Sequence, residues 1–171
     1  MCAHWNSKDV PHKGWILIDV VDIREDGQPI DETDYEKCMM CGNERIRYVH
    51  IVEHKEIEEQ YRVGCICAEK MTEDYVNPRE REKELKRRSN ERITWVKKKW
   101  KISKSGNHYI NIDGNNLVVF DDKISGKYKC KLNDKFGSNT YNDLSAAKIG
   151  LFKKMEELKQ KGKWQKFPIY D

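Results

Sequence analysis

Cys38-Met-Met-Cys41-Gly42-Asn-Glu-Arg45-Ile-Arg-Tyr-Val-His50-Ile-Val52 opens the stretch whose reading decides the fold, and Gln60-Tyr-Arg-Val63-Gly-Cys65-Ile-Cys67-Ala-Glu-Lys-Met71 closes it. A Cys-x-x-Cys pair followed by glycine is a turn that can place two thiolates on one cation, with backbone N–H groups supporting the sulfurs. Cys65-Ile-Cys67 follows after 23 intervening residues. Two close cysteine pairs supply the four ligands of a closed tetrahedral site, the geometry zinc takes in structural centres. The second pair is C-x-C rather than C-x-x-C, and His50 and His54 lie between the pairs. The sequence therefore predicts one structural Zn²⁺ on Cys38, Cys41, Cys65 and Cys67, with His50 or His54 as the alternative fourth ligand. The blander account is a set of reduced core cysteines and core histidines. Against it stand two close pairs within 30 residues, in a segment too small for a secure core without a staple.

Around the cysteines the pattern is β-rich. Arg45–Val52 alternates like a strand, with Ile46, Tyr48, His50 and Val52 on one face. Gln60–Val63 reads as a third short strand and Trp15–Ile23 as the first, closed by the turn signal Gly27-Gln-Pro29. Cys65–Met71 reads as a turn entering a short helix. Residues 1–77 are thus expected to be an acidic, zinc-stapled β module.

Asn77-Pro78-Arg-Glu80 reads as a helix start, with Asn77 as N-cap, proline at the first helical position and glutamate at the third. The helix should run to about Lys99, largely exposed, with Leu85, Ile93, Val96 and Trp100 as its main apolar points. It is read as a basic link over 78–100. Ten of the 21 positions from 81 to 101 are basic: Arg81, Lys83, Lys86, Arg87, Arg88, Arg92, Lys97, Lys98, Lys99 and Lys101. They are the best candidates for a phosphate-facing surface.

Residues 101–171 are expected to form a βββα module with a basic tail. The β-like runs are His108–Ile112, Leu117–Phe120 and Lys127–Lys131, separated by Asp113-Gly-Asn-Asn and Ser125-Gly. Asn142–Lys159 carries an apolar stripe of Leu144, Ala147, Leu151, Phe152, Met155 and Leu158 at helical spacing. The predicted fold class is α+β, with a three-stranded antiparallel sheet and a packed helix in this C-terminal half. Lysines interleave with Trp95, Trp100, Tyr109, Phe120, Tyr128 and Phe136, a mixture that can stack bases while neutralising phosphate. The same pattern also describes strand core with a solvated lysine face.

The 171 residues carry a formal charge of +4, and that figure hides an imbalance. Residues 1–80 hold 10 Lys+Arg against 18 Asp+Glu, net −8; residues 81–171 hold 23 against 11, net +12. Half the molecule would be repelled by phosphate, so the halves are expected to serve different surfaces. The acidic half could dock on a basic groove of a nucleic-acid-handling protein. The first nine residues contain no apolar run, so no signal peptide is expected. The longest apolar stretch, Trp15–Val21, is far short of the roughly 20 residues of a membrane helix. A cytoplasmic protein with metal-bound or free thiols is expected.

The string Cys38-x-x-Cys41-Gly…Ile46-Arg-Tyr-Val-His50…Val63-Gly-Cys-Ile-Cys-Ala68 resembles small bacterial and phage accessory proteins that bind zinc, and Trp100 with Gly106-Asn107-x-Tyr109 resembles their second half. By analogy of size and metal content, phage-encoded anti-CRISPR proteins are of this kind. The order helix, three strands, helix over 78–159 resembles the architecture of double-stranded-RNA-binding domains, with Ser145-Ala-Ala-Lys148 in the second helix. The function expected first is a non-enzymatic, zinc-stabilised accessory or inhibitor protein that binds a nucleic-acid enzyme such as a CRISPR-Cas nuclease, with zinc fixing the shape of the acidic module and charged surfaces making the contact. The alternative is direct DNA or RNA binding through the basic helix and the C-terminal module. A metal-dependent nuclease would need a carboxylate and histidine set around an open metal position, which this sequence does not assemble convincingly.

Overall fold

The apolar run after Trp15 forms β1 (Ile16–Asp22), one edge of a three-stranded antiparallel sheet ordered β1-β2-β3. The computed structural model describes residues 4–168. The central strand β2 (Tyr48–His54) pairs with β1 through Val20↔His50 and with β3 (Ile57–Val63) through His50↔Val63. Val49 and Val52 are both fully buried although they lie on opposite faces of β2, so this strand is covered on both sides. Trp15, Met40, Tyr61, Val63, Ala68 and Met71 complete the core around it.

The segment before β2 is a hairpin in miniature. Glu36 and Ile46 exchange both backbone hydrogen bonds (3.1 and 3.0 Å) and bracket the Cys38–Gly42 turn. Arg62 on β3 grips the Glu36 carboxylate with two N–H groups at 2.7 and 2.6 Å. The cysteine turn is therefore fixed to the sheet from two directions.

After Gly64 the chain enters α1 (Cys65–Thr72), which ends at Glu73 in the left-handed conformation. The long helix α2 (Asn77–Lys97) follows. Asn77 is its first residue, and the capping oxygen comes from further upstream. The Asp74 carboxylate accepts from the backbone N–H groups of Val76 (2.9 Å) and Asn77 (3.0 Å) and from the Asn77 side chain. Those donors hold the Asp74 carboxyl below its usual range. Asp74→Ala should lose a helix cap, read as a lower midpoint in urea; a midpoint equal to wild type would remove the capping role.

The chain divides into two compact units, Met1–Ser89 and Asn90–Asp171, and the division falls inside α2. In the second unit β4 (Lys101–Ile102), β5 (His108–Ile112), β6 (Asn115–Asp122), β7 (Lys127–Leu132) and β8 (Lys135–Tyr141) make an antiparallel meander in sequence order. The three expected runs are its centre, and β4 and β8 extend it at each edge. The last helix, α3 (Leu144–Gln160), starts at Asp143, whose side chain accepts from the Ala146 N–H at 2.8 Å. Its buried stripe of Ala147, Leu151, Phe152 and Met155 packs with Leu117, Val119 and Cys130 of the sheet and with Trp95 of α2. The architecture is α+β, and among the described residues no helix is long and apolar enough to cross a membrane.

Candidate metal centre

The turn Cys38–Gly42 and the helix α1 bring Cys38, Cys41 and Cys67 together, with their sulfurs all within 4.8 Å of one another. Gly42 has a φ of 78°, which glycine adopts without strain, and its N–H closes the turn on the Cys38 carbonyl at 2.8 Å. Cys38 and Cys67 are buried and Cys41 is half-buried. The backbone N–H groups of Cys41 and Gly64 both point at the Cys38 sulfur at 3.5 Å. The Cys67 thiol donates to the same sulfur, and this is the strongest influence holding Cys38 well below the ordinary thiol range. The same bond, with burial, pushes Cys67 up, against the Trp5 indole that favours its thiolate. A buried sulfur approached by two N–H donors beside two further thiols is a donor set that fits Zn²⁺ chemically, since the metal displaces thiol protons.

Cys65 does not join them. Cys65 and Cys67 lie in a helix, where positions i and i+2 are about 200° apart around the axis. The two sulfurs therefore leave α1 on different sides. Cys65 instead meets His50 of β2 and Glu82 of α2, a second group of side chains within 4.8 Å that can also hold a metal ion. His50 is fully buried, with Nε2 at 3.1 Å from the Pro78 carbonyl and 3.8 Å from the Glu82 carboxylate. Lys86 pairs with Glu82 one turn along α2. Burial, and then the nearby Glu82 and Glu69 carboxylates, push the Cys65 thiol up to about 11. His50 Nδ1 is buried without a hydrogen-bond partner. A metal-bound histidine ordinarily donates its other ring N–H to an acceptor, and the Pro78 carbonyl is placed to accept from Nε2 while Nδ1 stays unpartnered. His54 belongs to neither group. Its ring stacks 5.3 Å from Trp15, and its Nδ1 accepts from the Glu56 N–H at 3.2 Å.

Glu82 and the N-terminal residues His4 and Trp5 carry no motif, and sequence reading passes over them. Pro78 and Glu82 are spaced i, i+4 and share a helix face; that spacing is the one available signal for Glu82. The His4 N–H donates to the Met40 carbonyl at 3.1 Å, inside the Cys-x-x-Cys turn. Cys2 lies outside the described residues.

The ten basic positions are dispersed. Arg87 and Arg88 both bond Glu84, which they hold down to about 2. Lys83 lies 3.8 Å from Glu80, Lys86 pairs with Glu82, and Arg81 donates to the Ile18 carbonyl at 3.3 Å. Arg92 is half-buried, while Lys97 and Lys99 are exposed. Lys98 lies over the Trp95 ring at 6.0 Å, and Lys101 begins β4. The first turns of α2 thus neutralise much of their own positive charge.

No protein-family model, curated protein or solved structure matches this chain.

Proposed function

We propose that this chain is a non-enzymatic binding protein stapled by one structural Zn²⁺, with Cys38, Cys41 and Cys67 as ligands. The observation that carries the reading is the buried Cys38 sulfur, approached by two backbone N–H groups and lying within 4.8 Å of the Cys41 and Cys67 sulfurs. A structural zinc site is closed by four ligands. Whether His4 is the fourth is tested by measuring zinc content in His4→Ala protein, since the His4 N–H donates to the Met40 carbonyl inside the cysteine turn.

The partner on this reading is a nucleic-acid-handling enzyme, with a CRISPR-Cas nuclease as the named example, and the protein acts as a phage or mobile-element accessory or inhibitor. Charge supports it. The first unit holds 15 Lys+Arg against 20 Asp+Glu, net −5, and the second 18 against 9, net +9. Three thiolates and one Zn²⁺ make the first unit one charge more negative. An acidic rigid unit is suited to a basic nucleic-acid groove. The test is affinity capture with the zinc-loaded protein from a host carrying such a nuclease. A nuclease that co-purifies and stays bound after nucleic acid is digested is the expected result. Capture abolished by digestion would replace the protein partner with nucleic acid itself, and recovery of no such enzyme would overturn the reading.

A further inference from the structure

The outer face of the five-stranded sheet carries a row of side chains aligned across every strand. The register pairs Lys101 with Tyr109, Tyr109 with Val118, Val118 with Lys131, and Lys131 with Phe136. Strand alternation explains the row: Leu117 and Val119 turn inward under α3, so Asn116, Val118 and Phe120 turn outward. Phe120 meets Phe136 edge-on with ring centroids 5.8 Å apart. Lys131 Nζ lies 5.2 Å from the Phe136 ring centre and 3.8 Å from Asp134. Tyr109, Asn116, Phe120, Lys131 and Phe136 line one open depression of about 560 Å³. Phe136 is 70% exposed, an unusual position for a phenylalanine in a sheet.

We propose that this face binds single-stranded nucleic acid, stacking unpaired bases on Tyr109, Phe120 and Phe136 while Lys101 and Lys131 meet the phosphates. Three rings on an open sheet suit two or three bases, because every base has a face to stack and an aromatic ring accepts any of them. The bases of a duplex present only edges in the grooves, which these rings cannot stack on. The charge agrees: this unit is net +9. Lys101 and Lys131 are the cations of the row itself, while Lys129, two residues before Lys131, is held by Asp122 at 2.8 Å. The site uses neither the metal centre nor the enzyme partner proposed above, so either can fail without the other.

The test is fluorescence anisotropy of the purified full-length protein with labelled oligo-dT and oligo-rU of roughly 12 nucleotides and a duplex of equal length, from about 50 to 200 mM salt. Single strands should bind more tightly than the duplex. Phe136→Ala should weaken single-strand binding by about tenfold, the usual effect of losing one stacked base. The exposure of Phe136 should leave the thermal midpoint of that variant unchanged. Lys131→Ala should reduce the salt slope by about one. Equal or tighter duplex binding, an unchanged Phe136→Ala affinity, or no binding at the lowest salt would each overturn the proposal. A loss produced only by Lys97, Lys98 and Lys99 substitutions would move the contact to the end of α2 and overturn it too.

Discussion

Cys38→Ser is expected to empty the three-cysteine centre and unfold Met1–Ser89 in the full-length protein while Asn90–Asp171 stays folded. Cys38 is the sulfur on which the centre is built: two backbone N–H groups and the Cys67 thiol point at it. A serine oxygen is shorter, harder and not ionised at neutral pH, so it cannot stand in as a zinc ligand. Structural zinc in small domains contributes on the order of 10–16 kcal/mol of apparent binding free energy. That matches or exceeds the about 5–15 kcal/mol that whole domains have to lose. The measurement is metal content by mass spectrometry together with hydrogen exchange. One equivalent of zinc should fall to none, and protection should collapse in β2 and β3 but persist in β6 and β7. Cys65→Ser is the discriminating control. Its sulfur belongs to the other group, so zinc should remain at one equivalent. Zinc lost equally in both variants would make Cys65 a ligand after all, and wild-type protein free of stoichiometric metal would remove the centre altogether.

The contrast between Cys38 and Cys65 marks where the sequence stops being legible. Cys-x-x-Cys-Gly reads as a metal turn because its geometry is local: a few residues and one left-handed glycine bring Cys41 beside Cys38. Cys65-Ile-Cys67 cannot be resolved the same way, because its outcome depends on whether the two residues sit in a strand, a turn or a helix. The helix begins at Cys65 itself, so one sulfur reaches the turn and the other reaches Glu82. Glu82 was beyond reach for a related reason. Its side chain is only 16% exposed, yet it sits in a run of charges that reads as solvent-facing. The second unit shows the same division. Strong alternation in β5–β7 and the apolar stripe of α3 are visible from residue order alone. β8 is not, because Lys135-Phe-Gly-Ser-Asn-Thr-Tyr141 is an edge strand whose residues are exposed except for the last, and nothing apolar alternates along it. Its place is dictated by pairing with β7, which is a tertiary fact.

Trp95→Ala should be the most damaging substitution in the second unit, at about 3–5 kcal/mol. The helical reading of 77–99 treats this stretch as an exposed link with Ile93, Val96 and Trp100 as its apolar points. The structure puts Trp95 at the centre instead, 2% exposed, while Ile93 is 52% exposed. Its ring lies 5.4 Å from Phe152 on α3 and 5.6 Å from Trp100. Its indole N–H donates to the Lys148 carbonyl at 2.7 Å, so the end of α2 is both packed and hydrogen-bonded to α3. Truncation removes the largest buried side chain of this core and leaves a cavity between α2 and α3. With about 4–8 °C of midpoint per kcal/mol for a unit of this size, the loss should exceed about 10 °C in the transition reported by α3. Trp95→Phe keeps part of the apolar contact and forfeits the hydrogen bond together with part of the ring volume, so its cost should fall between wild type and Trp95→Ala. Ile93→Ala, two residues away on the same helix, should stay within about 0.5 kcal/mol of wild type as exposed positions do. If Ile93→Ala costs as much as Trp95→Ala, α2 does not anchor this unit through the indole, and its C-terminal turns are the exposed link that their charge pattern implies.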